Sequence, residues 1–544
     1  MQPPPVDEPV NRPADEPAAA PADTRGTALL DVPPRRTIPE RIAAVGPARV
    51  WRWLGPALVT ALAAVLRLVN LQHPHTLMNH FDETYYVKDA WTLWNLGYEG
   101  RWPDNANDLF LGGDVNVFLT DPAFVVHPPL GKWLIGVGMW ALGPETGWGW
   151  RITTALVGVA AVLVLILVAR RLTGSTFWGC VAGFLLAIDG LGIVLSRVAL
   201  LDNFLAFFVL LAFWFLLLDR DRTMTRIAQV ALARSQGGRE PAWGPVLWNR
   251  PWVIAAGAAL GAACAVKWSG LWVLAAFGIY LVVSDALARR RAGIAYWPTD
   301  AVARQGPVTF VLLVPVAALV YLASWTGWLV TDGGYDRQSD PNPLVALWNY
   351  HVAMYNFHVD LSTPHSYASP AWQWPLMLRP TSMFWAKTDY GVDGCGWQSG
   401  CAQAVSSIAN PAIWYPAVAA TIALIVLFVL RPRGGRARDW RFAIVLMAIA
   451  ATYVPWLLYP ERTIFQFYTV VMVPFLILAL VLVLRLVAGR ADDTFLRRAN
   501  GQGVVAVFLV IAIGFAVFWY PLWTGMEVPY DFWYLHTARV SSWI

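Results

Sequence analysis

Long apolar segments separated by short polar connections occupy most of the chain after residue 50. A helix needs about 20 consecutive apolar residues to cross the hydrocarbon core of a bilayer, and stretches near that length recur along the sequence. The pattern predicts an all-α bundle of membrane-spanning helices. The predicted spans are the eleven segments 53–71, 152–169, 176–195, 203–218, 252–266, 271–283, 308–330, 412–430, 442–458, 464–484 and 504–523. An odd number of spans would place the two ends of the chain on opposite sides of the membrane.

Two of these segments, 252–266 and 271–283, are short enough to form one span instead of two. Arg250 precedes them, and three consecutive arginines at 289–291 follow them. Because arginine clusters favour the cytoplasmic side, an even number of crossings must separate these two positions. The sequence therefore predicts two spans here.

The distribution of arginine orients the whole bundle. Five clusters alternate with connections that contain almost no arginine, namely 170–171, 220–250, 289–304, 431–441 and 490–498. The positive-inside rule places these clusters and the N-terminus in the cytoplasm, and the loops 72–150 and 331–410 and the C-terminus outside. The four lysines also fall on the outer side: Lys88, Lys132, Lys267 and Lys387.

Composition agrees with a polytopic membrane protein and excludes an ordinary soluble one. Hydrophobic residues make up 57% of the 544-residue chain, and mean hydropathy is +0.48. Only 14% of the residues are charged, against about 25% in soluble domains. The 31 Trp and 18 Tyr suit aromatic belts at the membrane interface. The sequence has no Gly-rich phosphate loop, zinc-ligand spacing or basic RNA-binding stripe, so no nucleic-acid partner and no cofactor are expected.

Residues 1–50 differ in composition from the rest of the chain. They are rich in Pro, Ala, Asp and Arg and contain almost no aromatic residue. Such a segment cannot bury enough apolar surface to fold, so it is predicted to be a disordered cytoplasmic tail beside one transmembrane domain over 51–544. The first apolar segment lacks a small-residue cleavage site and is predicted to be an anchor.

The first outer loop, 72–150, contains two polar motifs next to apolar residues. They are Phe81-Asp82-Glu83-Thr84-Tyr85-Tyr86 and His127-Pro128-Pro129-Leu130-Gly131-Lys132-Trp133, the second leading into an apolar run too short to span. Two interfacial helices that frame a pocket would satisfy this pattern. Carboxylates at a membrane boundary indicate a functional site by default, and the alternative is a hydrated acidic loop.

The second outer loop, 331–410, contains histidines and a pair of cysteines. Cys395 and Cys401 are expected to form a disulfide, because the outer compartment is oxidising. His351, His358 and His365 lie seven residues apart on an irregular loop and match no metal-ligand motif. A structural or substrate-contact role is therefore favoured over a metal site, and no metal is predicted.

Four cations are predicted at the outer edge of the spans: Arg67, Arg151, Arg197 and Lys267. Each one alone could snorkel to the interface or pair with a carboxylate such as Asp202. Together they indicate an anion at the same depth as Asp82. An anion held at the bilayer surface beside apolar residues describes a lipid phosphate, and hence a lipid-linked donor.

These motifs together resemble the protein O-mannosyltransferases, in their bacterial and particularly actinobacterial form. The residues that carry the resemblance are Phe81-Asp82-Glu83, His127-Pro128-Pro129-Leu130-Gly131-Lys132, Ser196-Arg197, Leu200-Leu201-Asp202-Asn203, Lys267-Trp268-Ser269-Gly270, Trp372-Gln373-Trp374-Pro375 and Arg379-Pro380. The resemblance implies a GT-C membrane fold and the inverting transfer of mannose from a polyprenyl-phosphate sugar to Ser or Thr of proteins. Eukaryotic members carry a β-trefoil MIR domain in the second large loop, for which this chain has no room.

The chemistry that the resemblance implies assigns roles to individual residues. A hydroxyl is a weak nucleophile, so a carboxylate must take its proton, and the family motif places Asp82 there. Neighbouring residues of a helix point about 100° apart, so Glu83 is expected to position the acceptor. The leaving phosphate requires cations, first Arg151 and then Arg67, Arg197 and Lys267. Supporting or acceptor-contacting roles are expected for His127, Lys132, Asp202, Trp372 and Arg379.

Two other functions remain open. A different GT-C enzyme with a glycolipid or glycan acceptor would share the fold and the motifs. A transporter would also carry intramembrane charges, but the sequence has no inverted repeat. The predicted location is the plasma membrane, with the active site outside. The expected partners are polyprenyl-phosphate-mannose, membrane lipids and Ser/Thr-rich segments of translocating proteins, with the secretion translocon as a candidate.

Overall fold

The computed structural model describes residues 47–76, 82–236, 242–430, 439–537 and 540–543. Most of the predicted tail and Phe81 lie outside these residues. From Ala48 onward the chain forms one compact unit. Its α-helices are α1 Pro47–Leu68, α2 Glu83–Leu96, α3 Ala106–Leu111, α4 Leu130–Leu142, α5 Gly147–Thr173, α6 Thr176–Ala187, α7 Gly190–Val194, α8 Asp202–Gln236, α9 Pro251–Val266, α10 Gly270–Arg291, α11 Gly306–Ser324, α12 Thr326–Val330, α13 Pro343–Asp360, α14 Pro411–Val429, α15 Trp440–Tyr453, α16 Val473–Ala488, α17 Phe495–Thr524 and α18 Tyr530–Thr537. A short helical turn, Trp297–Thr299, and a π-helical turn, Asp300–Gln305, precede α11.

Shorter 3₁₀ turns and three strands complete the chain. The turns are Ala371–Leu376, Val454–Leu458, Gln466–Val471 and Ser541–Trp543. The strands are β1 Ser382–Thr388, β2 Cys401–Ser406 and β3 Glu527–Pro529, which form one antiparallel sheet in the order β1-β2-β3. This sheet corrects the all-α prediction for the second outer loop. A disulfide between Cys395 and Cys401 closes the connection from β1 to β2.

Every predicted span contains helix, but several boundaries differ from the prediction. The segment 176–195 breaks after Ala187, because the side chain of Asp189 accepts the Gly192 amide and starts α7 as a new helix. The segment 464–484 begins as a 3₁₀ turn, and α16 begins only at Val473. Apolar composition predicts that a segment is buried in lipid or protein. It does not locate these breaks.

Seven helical segments of the described chain are long and apolar enough to cross a membrane. They are Gly147–Thr173, Asp202–Ala233, Gly270–Arg291, Trp297–Ser324, Pro411–Val429, Trp440–Leu458 and Phe495–Thr524. Four apolar helices are shorter: Leu130–Leu142, Thr176–Ala187, Pro251–Val266 and Val473–Ala488. The structure therefore supports a multi-span membrane protein, and the count of eleven spans stays a prediction.

Capping residues fix the ends of the helices that carry the polar motifs. Thr146 accepts the Gly149 amide at the start of α5, and Gly174 ends this helix in the left-handed conformation. Gly97 ends α2 in the same way. In the next motif, Gly131 of α4 packs closely on Leu201, since a Cβ at position 131 would lie 2.6 Å from a Leu201 methyl carbon. The packing of α4 thus brings the motif that contains Gly131 into direct contact with the motif that contains Leu201.

Buried ion pairs hold the helix ends at the other side of the bundle. Arg250, just before α9, donates to Asp219 of α8 at 2.5 Å and to Asp285 of α10 at 2.6 Å. Arg289 donates to Asp300 at 2.7 Å. A buried charge requires a partner, so these contacts fix the start of α9 against the end of α10. Consequently α9 and α10 form an antiparallel hairpin with Lys267 at its turn.

Candidate active site

Asp82 lies immediately before α2, but its side chain does not cap this helix. The amides of Tyr85 and Tyr86 donate to the Asp82 carbonyl and close the first turn. Within the described residues Asp82 makes no side-chain capping bond, although Asp is a preferred N-cap residue. Its Oδ2 instead accepts a hydrogen bond of 3.1 Å from the Tyr86 hydroxyl. The carboxylate is therefore directed away from the helix end and held by a side chain one turn further on.

The surroundings of Asp82 change its acidity. Burial raises the pKa of the Asp82 carboxyl above its ordinary value, while Lys267 and the Tyr86 hydroxyl act in the opposite direction. A carboxylate with a raised pKa is a better proton acceptor once it is ionised. Asp82 therefore has the electrostatic character that a general base requires.

Glu83 and Arg151 form a buried pair behind Asp82. The Arg151 Nε and Nη2 atoms donate to the two Glu83 carboxylate oxygens at 2.9 and 2.8 Å. Arg151 also donates to the carbonyls of Leu71, Pro74 and Thr76, in the connection between α1 and α2. Glu83 accepts the Ala199 amide as well. This pair fixes the Asp82 connection to α5, and Arg151 does not line the cavity described below, contrary to the expectation of phosphate binding.

Arg67 and Arg197 are likewise committed to the protein. Arg67 donates to the carbonyls of Leu186 and Ala187 and to the Ser196 hydroxyl. Arg197 donates to carbonyls at the end of α1, including those of Arg67, Val69 and Asn70. Both side chains are buried and bond the carbonyls that helix ends leave without partners. Both guanidinium groups therefore make structural contacts, and neither lines the cavity described below, while their expected role at the donor phosphate stays a prediction.

A cavity of about 470 Å³ opens between α8, α10, α13 and the turns that follow α15. One part of its wall is polar and the rest is apolar or aromatic. The polar part contains His127, Asp202, Lys267, His358 and Arg462. The remainder includes Leu271, Trp272, Ala275, Val359, Pro455 and Val471. The shape and chemistry suit a ligand with an anionic head and an apolar tail.

Asp82 adjoins the polar part of this cavity. Its hydrogen-bond partner Tyr86 has a ring centroid 6.2 Å from that of His127, a cavity residue. Asp82 also interacts electrostatically with Lys267 and Asp202. Asp82 and Tyr86 do not line the cavity themselves, and Asp82 is connected to its polar part through Tyr86 and His127.

Lys267 is the one predicted phosphate cation that lines the cavity. It follows the last residue of α9, and its Nζ lies 2.7 Å from Asp202 Oδ2 and 4.8 Å from the Tyr468 ring centroid. Asp202 begins α8, so this ion pair joins two helix ends beneath the cavity. The sequence left two alternatives for each cation, a role at the donor phosphate or an ion pair with a carboxylate such as Asp202; Lys267 forms the ion pair and also lines the cavity.

Arg462 is a cavity residue that sequence reasoning missed. Its Nε donates to the His358 carbonyl at 3.1 Å, and its Nη2 donates to His358 Nδ1 at 3.1 Å. His358 in turn donates from Nε2 to the Val126 carbonyl at 2.7 Å. The signal for Arg462 was its position between the predicted spans 442–458 and 464–484, an outer connection where the positive-inside rule predicts few charges.

The cavity histidines are neutral. Burial and the charge of Arg462 lower the pKa of His358 to about 4. Burial, followed by Lys267 and other nearby cations, holds the pKa of His127 well below its ordinary value. The two rings stack with centroids 5.2 Å apart. His358 can therefore accept from Arg462 and donate to Val126 at the same time.

Of the other predicted site residues, Lys132 supports the cavity wall, and Trp372 and Arg379 lie away from it. Lys132 forms a buried ion pair with Glu99 and donates to the His127 carbonyl, so it supports His127 from behind. Trp372 is 60% exposed, and Arg379 donates to the carbonyls of Ser366 and Ser542. Neither Trp372 nor Arg379 lines the cavity. No cluster of His, Cys, Asp or Glu within the described chain could hold a metal ion.

His351 and His365 also make defined contacts. The Tyr321 hydroxyl lies 2.6 Å from His351 Nε2 and accepts the Trp268 indole at 3.0 Å. His351 also stacks on Trp268, so it fixes a cavity-lining ring. His365 Nδ1 accepts the Tyr367 amide.

Two family sequence models together cover nearly the whole described chain. The model for dolichyl-phosphate-mannose-protein mannosyltransferase matches residues 57–324. The model for the C-terminal four-transmembrane region of protein O-mannosyltransferase matches residues 343–543.

Structural comparison gives the class of protein. The chain matches the structure of the S. cerevisiae protein O-mannosyltransferase Pmt1-Pmt2 complex bound to the sugar donor, with a TM-score of 0.64 and 14% identity over 87% of this chain and 90% of that one. It therefore has the fold of a membrane glycosyltransferase of the GT-C type.

Similar sequences narrow the class to a family. A polyprenol-phosphate-mannose–protein mannosyltransferase of Mycolicibacterium smegmatis strain MKD8 is 36% identical, over 91% of this chain and 93% of that protein. Proteins of the same name from Mycobacterium tuberculosis strain H37Rv and Corynebacterium glutamicum are 34% and 31% identical, over 92% and 90% of this chain and 94% and 92% of theirs. The chain belongs to the protein O-mannosyltransferase family.

Proposed function

We propose that this chain transfers mannose from a polyprenyl-phosphate donor to Ser or Thr hydroxyls of proteins, on the outer face of the plasma membrane. Membership of the family supports the reaction. The observation that carries the proposal is the cavity, whose cations and apolar wall match the two halves of a prenyl phosphate. A soluble sugar nucleotide has no apolar chain that could occupy the apolar part of the cavity.

Lys267 and Arg462 are the proposed contacts of the donor phosphate. Both line the cavity, and each is held in place by a neighbour, Lys267 by Asp202 and Arg462 by His358. Preorganised cations stabilise the charge that develops on a leaving phosphate without having to reorganise during the reaction. They replace Arg151, Arg67 and Arg197 in the proposal, because those three guanidinium groups do not line the cavity.

Asp82 is the proposed general base. The acceptor hydroxyl oxygen attacks C1 of mannose, the bond from C1 to the phosphate oxygen breaks, and its electron pair leaves with the polyprenyl phosphate. The hydroxyl proton passes to Asp82, and displacement from the opposite face inverts the anomeric configuration. Glu83 serves this step indirectly, because its pair with Arg151 fixes the connection on which Asp82 lies.

We extend the proposal to topology and partners. Eleven spans with a cytoplasmic N-terminus would place Asp82 and the cavity outside. The α9–α10 hairpin, with Arg250 and Asp285 bonded at one end and Lys267 at the other, supports two crossings at 252–283. Acceptors must then have crossed the membrane, so Ser/Thr-rich segments of translocating proteins are the proposed acceptors and the secretion translocon a proposed partner.

Membranes that contain the protein, incubated with radiolabelled polyprenyl-phosphate mannose and a Ser/Thr-rich peptide, test this function. Asp82→Asn keeps the size of the side chain but cannot take the hydroxyl proton, so we expect transfer to fall about a hundredfold or more with donor binding nearly unchanged. Normal transfer by a correctly inserted Asp82→Asn variant would exclude Asp82 as the base. If the peptide stayed unlabelled while a glycolipid acquired label, the acceptor class would be wrong and the fold assignment would stand.

A further inference from the structure

Tyr86 contacts the proposed base but has no role in the proposed chemistry so far. It lies one helical turn after Asp82, and its hydroxyl donates to Asp82 Oδ2 at 3.1 Å. Residues four apart face the same side of a helix, so the contact follows from the geometry of α2. The Tyr86 side chain is buried, with 7% exposure. A buried phenol packed in this way has little freedom to turn from its acceptor.

The Tyr86 hydroxyl remains a donor throughout the working pH range. Burial holds the pKa of Tyr86 well above its ordinary value, and the carboxylates of Asp82 and Asp202 raise it further. The phenol therefore stays protonated and donates to the Asp82 carboxylate.

We propose that Tyr86 is a positioning residue that holds Oδ2 of Asp82, so that Oδ1 is presented to the acceptor hydroxyl. The inference rests on the proposed role of Asp82 as general base. Because Asp82 does not cap α2, the Tyr86 bond is the side-chain hydrogen bond that orients this carboxylate within the described chain. A base held in one rotamer receives a proton along a defined line, which shortens the search for a productive geometry.

The bond also favours the ionised form of Asp82, as do the charges of Lys267 and His365, whereas Asp202 opposes ionisation. A hydrogen bond to a carboxylate lowers its pKa, so loss of the phenol hydroxyl raises the pKa of Asp82. The base works only when it is deprotonated. Removal of the hydroxyl therefore moves the acid limb of the pH–rate profile to higher pH.

Tyr86→Phe tests the inference, because it removes the hydroxyl and keeps the ring. We expect kcat at neutral pH to fall about tenfold with the donor KM unchanged, and the deficit to shrink as pH rises. Tyr85→Phe is the matched control, since Tyr85 is the adjacent residue and is 63% exposed. We expect its pH profile to match that of the unaltered protein.

Asp82→Asn, measured in parallel, separates this inference from the proposed function. If Asp82→Asn abolishes transfer and Tyr86→Phe leaves both kcat and the acid limb unchanged, Tyr86 has no positioning role although the base assignment holds. If Asp82→Asn retains transfer, the base assignment itself fails. If Tyr86→Phe lowers kcat equally at every pH and leaves the acid limb in place, the hydroxyl does not bond the ionised Asp82 carboxylate and the proposal is wrong; donor binding by the purified variant reports whether it is folded.

Discussion

At the scale of single residues, burial separates two kinds of arginine that look alike in the sequence. Arg151 is fully buried and pairs with Glu83, whereas Arg462 lines the cavity and is only partly buried. The sequence predicts that both lie on the outer side of the membrane. Their expected contributions differ accordingly, one to folding and the other to donor binding.

Arg151→Ala and Arg462→Ala should therefore give opposite phenotypes. Removal of Arg151 leaves the Glu83 carboxylate buried without its cation, which costs about 3–5 kcal/mol of the free energy of unfolding. Arg462→Ala should leave thermal stability in detergent nearly unchanged and raise the donor KM about tenfold or more, since hydrogen bonds to charged groups contribute about 1.5–3 kcal/mol. Melting temperature and donor KM, measured on both variants, check this. A stable Arg151→Ala protein with a raised donor KM would restore the phosphate role that its contacts argue against.

The sequence could predict the kinds of residue in the site better than the role of each individual residue. Asp202, His127 and Lys267 were chosen from motifs, and all three line the cavity. Arg67 and Arg197 are predicted, like Lys267, from their position at the outer edge of spans, but neither arginine lines the cavity. A cation that faces a cavity and a cation that binds the free carbonyls of a helix end lie at the same depth in the membrane. Their positions along the chain therefore do not distinguish them.

At the scale of elements, His358 connects three parts of the outer surface. It belongs to α13, accepts from Arg462 between α15 and α16, and donates to the Val126 carbonyl before α4. Its two ring nitrogens therefore have separate tasks. Nδ1 orients a cavity cation, and Nε2 docks α13 on the first outer loop.

Two substitutions of His358 separate these tasks. An Asn oxygen can occupy the place of Nδ1, and a Gln amide nitrogen can occupy the place of Nε2. If the orientation of Arg462 controls donor binding, His358→Asn should keep the donor KM within about twofold and His358→Gln should raise it about tenfold, which corresponds to about 1.4 kcal/mol. Steady-state kinetics at neutral pH, where His358 is neutral, measure both. The reverse order would show that the docking of α13 is the important contact.

The sequence predicted most helices and failed where polar contacts change their course. The break after Ala187 depends on Asp189, whose carboxylate binds both the Gly192 and the Asn410 amides. Asn410 is 221 residues away in the chain, so no local pattern contains this contact. The small sheet has the same origin, because β3 follows α17 and pairs with β2, which lies far away in the chain, so no local pattern contains this pairing.

At the scale of the whole molecule, charge arranges the two ends of the bundle differently. The end with Asp82 and the cavity contains Lys267 and Arg462, whereas the other end contains the Arg250 and Arg289 ion pairs. The arginine clusters predict that the end with Arg250 and Arg289 is cytoplasmic, and this orientation stays a prediction. The sequence could not show that Arg250 and Arg289 are themselves buried, because the carboxylates that neutralise them lie on other segments.

Reporter fusions should establish the topology that this division implies. A reporter placed after Ala292, which follows the arginines at the end of α10, should give a cytoplasmic signal because those cations resist translocation. One placed after Ile544 should give an extracytoplasmic signal, because five further helices, α11, α14, α15, α16 and α17, would each cross the membrane after that point, and an odd number of crossings ends on the opposite side. Paired alkaline phosphatase and green fluorescent protein fusions measure both positions.

A cytoplasmic C-terminus together with a cytoplasmic residue 292 would mean that one of those five helices does not cross, and α16, which is 16 residues long, would be the first to re-examine. An outside signal after residue 292 would instead mean that α9 and α10 cross only once, an arrangement that the ion pair between Arg250 and Asp285 argues against.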